Sequence, residues 1–370
     1  MKVGLNATCL NDRPSGARQR FVGIYGALVR QLPEVEFVVF EPLDCRVGNW
    51  FASAQNVSFR QTPLPSDGRW RRLAEGFGYW RKAFAQERFD LFEGYNLPLV
   101  NCPHAQTVLT IHDIRGVNSD TPFLEQIAFN LTLRQSLDVA DHVITVSEAM
   151  KSDILAFHSD IAVSVVHNGI DPLLFDLVTE SDMQAMRQKF ALPPEFLLAV
   201  GHFERRKNYM RLIDAMVQLR ERGCLCNLVI IGNDSGERLQ IEKKIATENL
   251  SDNIKILSGL SDLEVRSAYK LCTLFVFPSA YEGFGIPILE AMATGAPMVL
   301  SDIPVFREIT QNQGVYFPND DADSMGDAIE HVLGSINERN RIVGYGYERV
   351  RDFSFPTLAS QIKNLYCSLM

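Results

Sequence analysis

Short apolar and β-branched runs alternate with longer stretches of helical period along most of the chain, a pattern that predicts parallel α/β layers. In the first half, strands are expected at Lys2–Asn6 and at residues 36–40, 57–60, 91–93, 107–111, 142–146 and 162–166. In the second half they are expected at Leu197–Val200, 227–231, Ile254–Leu257, 274–276, Met298–Ser301 and 314–317. Helical periodicity fills the gaps, most clearly at 209–219, Asp262–Leu271, 286–293 and 324–333. Two separate runs of strand–helix units imply two Rossmann-like sheets rather than one long sheet. Between Asp171 and Ala191 the pattern turns polar, and Pro193 and Pro194 immediately precede a new strand. Domains are therefore expected at 1–177 and 178–355. An amphipathic helix over 356–370 can pack back on the first domain.

Composition narrows the class. The 370 residues are 46% hydrophobic and 22% charged, which excludes a disordered or fibrous chain, and they exceed what one core usually holds. The formal net charge of −9 disfavours a general nucleic-acid binder. No apolar run is long enough to span a bilayer. The first residues read as a strand without the apolar core or cleavage site of a signal peptide, so a cytoplasmic location is expected. Seven cysteines without a CxxC pair suit free thiols.

Two stretches carry chemistry. Gly201 follows the strand Leu197–Val200, and Arg206, Lys207 and Asn208 come shortly after it. Ligands of open α/β sheets bind at that edge. An arginine fork beside a lysine point charge suits a diphosphate, whereas an exposed basic turn before a helix is the plainer alternative. Further on, Glu282 and Glu290 are separated by seven residues. Gly283 and Gly285 lie between them, and Pro287 stands where a first helical turn tolerates proline. The amides from Gly283 to Gly285 then face outward at a helix N-terminus, which favours phosphate or hydroxyl oxygens. A loop carboxylate and a helix carboxylate about two turns apart fit hydroxyl recognition better than a glycosidase pair.

These residues resemble retaining glycosyltransferase family 4. Glu282 to Glu290 is similar to its E-x7-E motif, and Gly201 to Asn208 to its G-x4-R-K-N segment. The resemblance covers nearly the whole chain and is strongest over 200–305. It implies the GT-B fold, with two Rossmann-like domains facing each other across a cleft. It also implies roles. Arg206 and Lys207 clamp the nucleotide diphosphate, and Glu282 with the Phe284 and Gly285 amides holds donor-sugar hydroxyls. Glu290 accepts from the ribose, and Gly259 and Leu260 lie against the nucleobase. Gly16 brings an amide to the donor phosphate, although only one glycine stands in this loop and Arg18 and Arg20 add cations that can meet a phosphate. His112, at a strand end, is implied next to the donor sugar. Ser147 either caps the following helix or contacts phosphate.

The overall run looks most similar to bacterial mannosyltransferases of O-antigen and exopolysaccharide synthesis. GDP-mannose is therefore the first choice of donor and a UDP-hexose the second, with a saccharide or lipid-linked saccharide as acceptor. No carboxylate nucleophile is identified, and the family suggests a retaining front-face mechanism. A non-catalytic nucleotide-sugar sensor would have lost a motif residue, and a dehydrogenase would need a G-x-G-x-x-G after its first strand. Asp321 and Asp323 have D-x-D spacing but read as a turn and helix cap, so no metal and no cofactor are expected. Residues 69–88 combine Arg69, Arg71, Arg72, Arg81 and Lys82 with Trp70, Leu73, Phe77 and Phe84. That composition suits a helix lying on an anionic membrane, or else an amphipathic helix packed on its own domain.

Overall fold

The structure, a computed structural model, describes residues 1–13, 15–51, 54–95, 97–114 and 123–370; the side chains of Arg69, Trp70 and Leu73 lie outside the described residues. Two compact units are present, Met1–Ile170 with Ser354–Met370, and Asp171–Phe353.

The first unit is built on a parallel sheet of β1 (Lys2–Asn6), β2 (Glu36–Glu41), β3 (Val57–Gln61), β4 (Leu91–Gly94), β5 (Gln106–Ile111), β6 (His142–Thr145) and β7 (Val163–Val165). Their order is β3-β2-β1-β4-β5-β6-β7. The second unit has β8 (Leu197–Val200), β9 (Leu228–Ile231), β10 (Ile254–Leu257), β11 (Leu274–Phe277), β12 (Met298–Ser301) and β13 (Val315–Phe317). Their order is β10-β9-β8-β11-β12-β13. Every expected strand is present. Central strands such as β4, β6, β9, β11 and β12 are buried along their length, which is why they read as continuous apolar runs. In each sheet the strand order reverses beside the unit's first strand, at β1/β4 and at β8/β11. Loops after those strands open the crevice where such sheets take ligands.

The unit boundary differs from the expected 177/178. Phe175 is buried, the Arg266 guanidinium lies 5.5 Å from its ring centroid, and residues 171–177 go with the second unit. At the other end, Phe355 belongs to the first unit, where its ring covers Gly23 so closely that a Cβ there would lie 2.3 Å from Cζ. Pro356 does not stop this last helix; it sits in the first turn of Phe355–Ser368, where its missing N–H costs nothing. Leu358, Ala359, Ile362 and Tyr366 bury that helix in the same core cluster as Val3, Leu5 and Leu28. The Tyr366, Tyr25 and Thr110 hydroxyls all donate to the buried Glu93 carboxyl, so a polar group in the core is fully partnered. Burial raises that carboxyl above the ordinary range despite those donors.

The helix Arg69–Gln86 corrects the expected aromatic face. Trp80, 4% exposed, packs with Phe40, Phe89 and Phe92, and Tyr79, Ala83 and Phe84 join it. Part of the aromatic composition is thus core. Phe77 is 78% exposed, and Arg71, Arg81 and Lys82 share its outward side. No helix among the described residues is long and apolar enough to cross a membrane.

Candidate active site

In the second unit, the chain leaves β8 at Gly201, whose φ is +154°. A Cβ there would lie 2.9 Å from Lys207 Cε, so the glycine makes room for the lysine stem. The turn Arg205–Lys207 then folds Lys207 under the sheet edge, 6% exposed. Asn208 closes the turn at φ +59° and donates through Nδ2 to the Asn319 carbonyl at 2.6 Å. Across the reversal point, the loop after β11 presents Glu282. Its Oε1 is 2.6 Å from Lys207 Nζ and its Oε2 is 2.7 Å from Arg206 Nη1. Arg206 also donates through Nε to Glu204 at 2.7 Å and through Nη1 to the Tyr281 carbonyl at 3.1 Å. Burial pushes the Glu282 carboxyl up, but the Lys207 and Arg206 charges outweigh it and hold the group below its ordinary pKa.

Arg206, Lys207 and Glu282 are therefore one cluster, with the cations already engaged by carboxylates. Glu204 completes it and was not among the expected residues. Its only sequence signal was a charge two positions before Arg206.

Beyond Glu282, Gly285 caps the helix Ile286–Thr294 at φ +122°, with Phe306 Cε1 3.0 Å from where a Cβ would stand. Gly283 and Phe284 lead into that N-terminus, where backbone donors and the helix dipole favour an anion or hydroxyl. The Phe284 ring itself is buried edge-on against Phe353. Glu290 lies in the second turn, half-buried; burial raises its carboxyl, against the pull of the Tyr269 hydroxyl and Arg266. Gly259 follows β10 at φ +71°, its N–H donated to Asn233 Oδ1 at 3.2 Å, and Leu260 is half-buried beside it. Asp321 is an N-cap, accepting from the Asp323 and Ser324 amides. No cluster of metal-ligating side chains occurs among the described residues.

In the first unit, His112 stands just beyond β5. Its ring packs edge-on against Tyr95, with centroids 4.9 Å apart, and its buried Nε2 has no hydrogen-bond partner among the described residues. Burial first, and the nearby Arg20 charge second, lower its pKa to about 3, so the imidazole is neutral at physiological pH. Gly16 opens the helix Gly16–Arg20, capped by the Ser15 hydroxyl; Pro14 lies outside the described residues.

Arg20, Arg18 and Ser147 have structural partners within the first unit. Arg20 is wholly buried, and its Nη1 donates to the Val166 and His167 carbonyls at 2.7 and 2.5 Å, clamping the chain after β7, while its buried Nε and Nη2 have no partner among the described residues. Arg18 is likewise occupied, stacked 4.2 Å over Trp50. Ser147 is fully buried, and its hydroxyl caps the helix Glu148–Phe157 by accepting from the Met150 amide. The cap is one of the two roles the sequence allowed for it.

Comparison with known proteins fits this geometry. The model for glycosyl transferases group 1 matches residues 182–349, and that for glycosyltransferase family 4 matches 14–173. The O-antigen chain mannosyltransferase RfbU of Salmonella typhimurium is 27% identical over 295 residues, 78% of this chain and 77% of that protein. The O-antigen chain mannosyltransferase B of Escherichia coli is 27% identical over 283 residues, 74% and 73% of the two chains. Anabaena HepE, solved in complex with UDP and glucose, superposes over 100% of both chains with a TM-score of 0.76 at 18% identity, which establishes the two-domain GT-B fold. With both halves matched in order and the motif residues in place, the chain belongs to the family 4, group 1 glycosyltransferases and is a glycosyltransferase.

Proposed function

We propose that the enzyme transfers mannose from GDP-mannose to a saccharide or lipid-linked saccharide, with retention at the anomeric carbon, in bacterial surface-polysaccharide synthesis. The observation that carries this is the Arg206–Lys207–Glu282 cluster at the β8/β11 reversal. A donor diphosphate entering there takes over the two cations, which stabilise negative charge as the bond from the sugar to the diphosphate breaks. Glu282 accepts from sugar hydroxyls, and Glu290 from the ribose. The acceptor oxygen attacks from the leaving-group face and gives its proton to the departing phosphate. His112 supplies an uncharged imidazole. The similarity to two O-antigen mannosyltransferases supports mannose over another hexose.

The cations take the place of a divalent metal, so activity is expected to survive excess EDTA. The deciding experiment is a nucleotide panel. GDP should raise the melting temperature more than UDP or ADP, and GDP release from GDP-mannose should depend on added acceptor. A preference for UDP would replace the donor, and no shift with any nucleotide would end the reading. The outward side of Arg69–Gln86, with Phe77, Arg71, Arg81 and Lys82, supports peripheral contact with anionic lipid. Vesicle co-sedimentation should then be lost when Arg71, Arg81 and Lys82 are changed to serine.

A further inference from the structure

A cavity lies within the first unit, apart from Arg206, Lys207, Glu282 and His112, and its lining includes Phe77 and Arg81 of the face proposed to meet lipid. It has a volume of about 1030 Å³, at the top of the range for small-molecule sites. The helix Arg69–Gln86 forms one wall with Phe77, Trp80 and Phe84, and the segment after β4 forms the other with Leu97, Leu99 and Val100. Its inner end reaches Asn6, the last residue of β1, and Thr8 and Cys9 just after it, at the strand-order reversal of the first sheet. The Cys9 thiol donates to the Tyr95 carbonyl, and the Tyr95 ring packs on His112. The cavity therefore runs from one side-chain layer short of His112 to an open apolar mouth on the outer helix.

Charge along this cavity is one-sided. Arg72, Arg81 and Arg88 line it, and Glu87 is the only acid among its described lining residues. Glu87 is already paired with Lys2 at 2.6 Å and with Arg60. Arg81 and Arg88 form no ion pair among the described residues. An apolar channel edged by uncompensated cations, in a chain of net charge −9, selects an amphiphile with an anionic head.

We propose that this cavity binds a phosphate-capped hydrocarbon chain, its apolar tail lying along Trp80 and Phe84 and its phosphate meeting the arginines. This rests on the glycosyltransferase reading in one respect only, that the bound amphiphile carries the acceptor. The tail of a lipid-linked acceptor then leaves the bilayer and enters the protein. Gly76 keeps the channel open: a Cβ there stands 3.4 Å from Trp80 Cδ1 and 3.9 Å from Leu64 Cδ1, so a longer side chain occupies the space between these two lining residues.

The test is calorimetric titration of the full chain, without vesicles, sugar or nucleotide. The probes are geranyl, farnesyl and dodecyl phosphate, each below its critical micelle concentration, with inorganic phosphate as control. Farnesyl phosphate should bind at least tenfold more tightly than geranyl phosphate, since each methylene withdrawn from water adds about fourfold. Inorganic phosphate should not bind. The tighter of farnesyl and dodecyl phosphate names a prenyl or an acyl source for the same chemistry. Gly76→Leu should weaken farnesyl phosphate at least tenfold with an unchanged or raised melting temperature, because leucine favours the helix more than glycine does. Arg81→Ser with Arg88→Ser should weaken farnesyl phosphate but not farnesol. Equal binding by Gly76→Leu and wild type, or no dependence on chain length, overturns the proposal. Because no nucleotide is present, a negative result leaves the transferase reading standing, and a failed nucleotide panel leaves this one standing.

Discussion

The Lys207 ammonium lies 2.6 Å from the Glu282 carboxylate, joining two loops whose residues are 75 positions apart. The contact exists because β8 and β11 are neighbours although two strand–helix units separate them in sequence. Lys207→Ala should lower kcat by about a hundredfold or more, the effect of removing a charge that stabilises a leaving group. Arg206 still pairs with Glu282, so the stability loss should stay near 1.5–3 kcal/mol by urea titration. Near-wild-type kcat on any accepted donor would remove Lys207 from the chemistry.

Gly201→Ala tests the same lysine without deleting it. The new methyl falls 2.9 Å from Lys207 Cε and 3.1 Å from Nζ, so the end of the lysine must shift relative to Glu282. An activity loss of at least about tenfold is expected, since misplacing a catalytic group by an ångström is costly. Unaltered kcat in a correctly folded Gly201→Ala protein would show that the exact position of Lys207 is unimportant.

His112 gives a pH signature. Its pKa is lowered to about 3 in the folded protein, by burial and then by Arg20, so the unfolded chain binds the proton more tightly. This group's contribution to stability is complete above the unfolded pKa near 6.5 and is lost as pH falls towards 3. Between pH 6.5 and pH 5 wild type should lose roughly 1.5 kcal/mol that His112→Asn does not lose, measured by urea titration at both pH values. Identical slopes for the two proteins would mean that the imidazole is not desolvated.

Gly23 tests the return of the C-terminal helix. The Phe355 ring occupies the space that any Cβ at residue 23 needs. Gly23→Val should destabilise the protein by about 1–3 kcal/mol, the usual cost of overpacking, and expose the chain near Ser354 to limited proteolysis. An unchanged cleavage pattern would indicate that the helix is held by Tyr366 and Ile362 alone.

Local pattern in the chain was enough for the strands and for the glycine exits at Gly201 and Gly285, and it singled out Arg206, Lys207, Glu282 and Glu290 as candidates. Each of these depends on residues within one strand–loop–helix unit, where hydrophobic period and turn chemistry act over a few positions. Residues 91–93 read as a strand, yet nothing near Glu93 announced that it would be buried under three hydroxyls. One of those donors, Tyr366, is 273 positions away. Only the tertiary structure showed Arg20 as a buried clamp on Val166 and His167, 146 and 147 positions distant. It likewise turned Trp80 inward and gave Ser147 to a helix end. It assigned Phe175 and Phe355 to opposite units from those expected. The physical reason is the same in each case: a side chain near an element boundary has two comparable local environments, and burial against residues far along the chain decides between them.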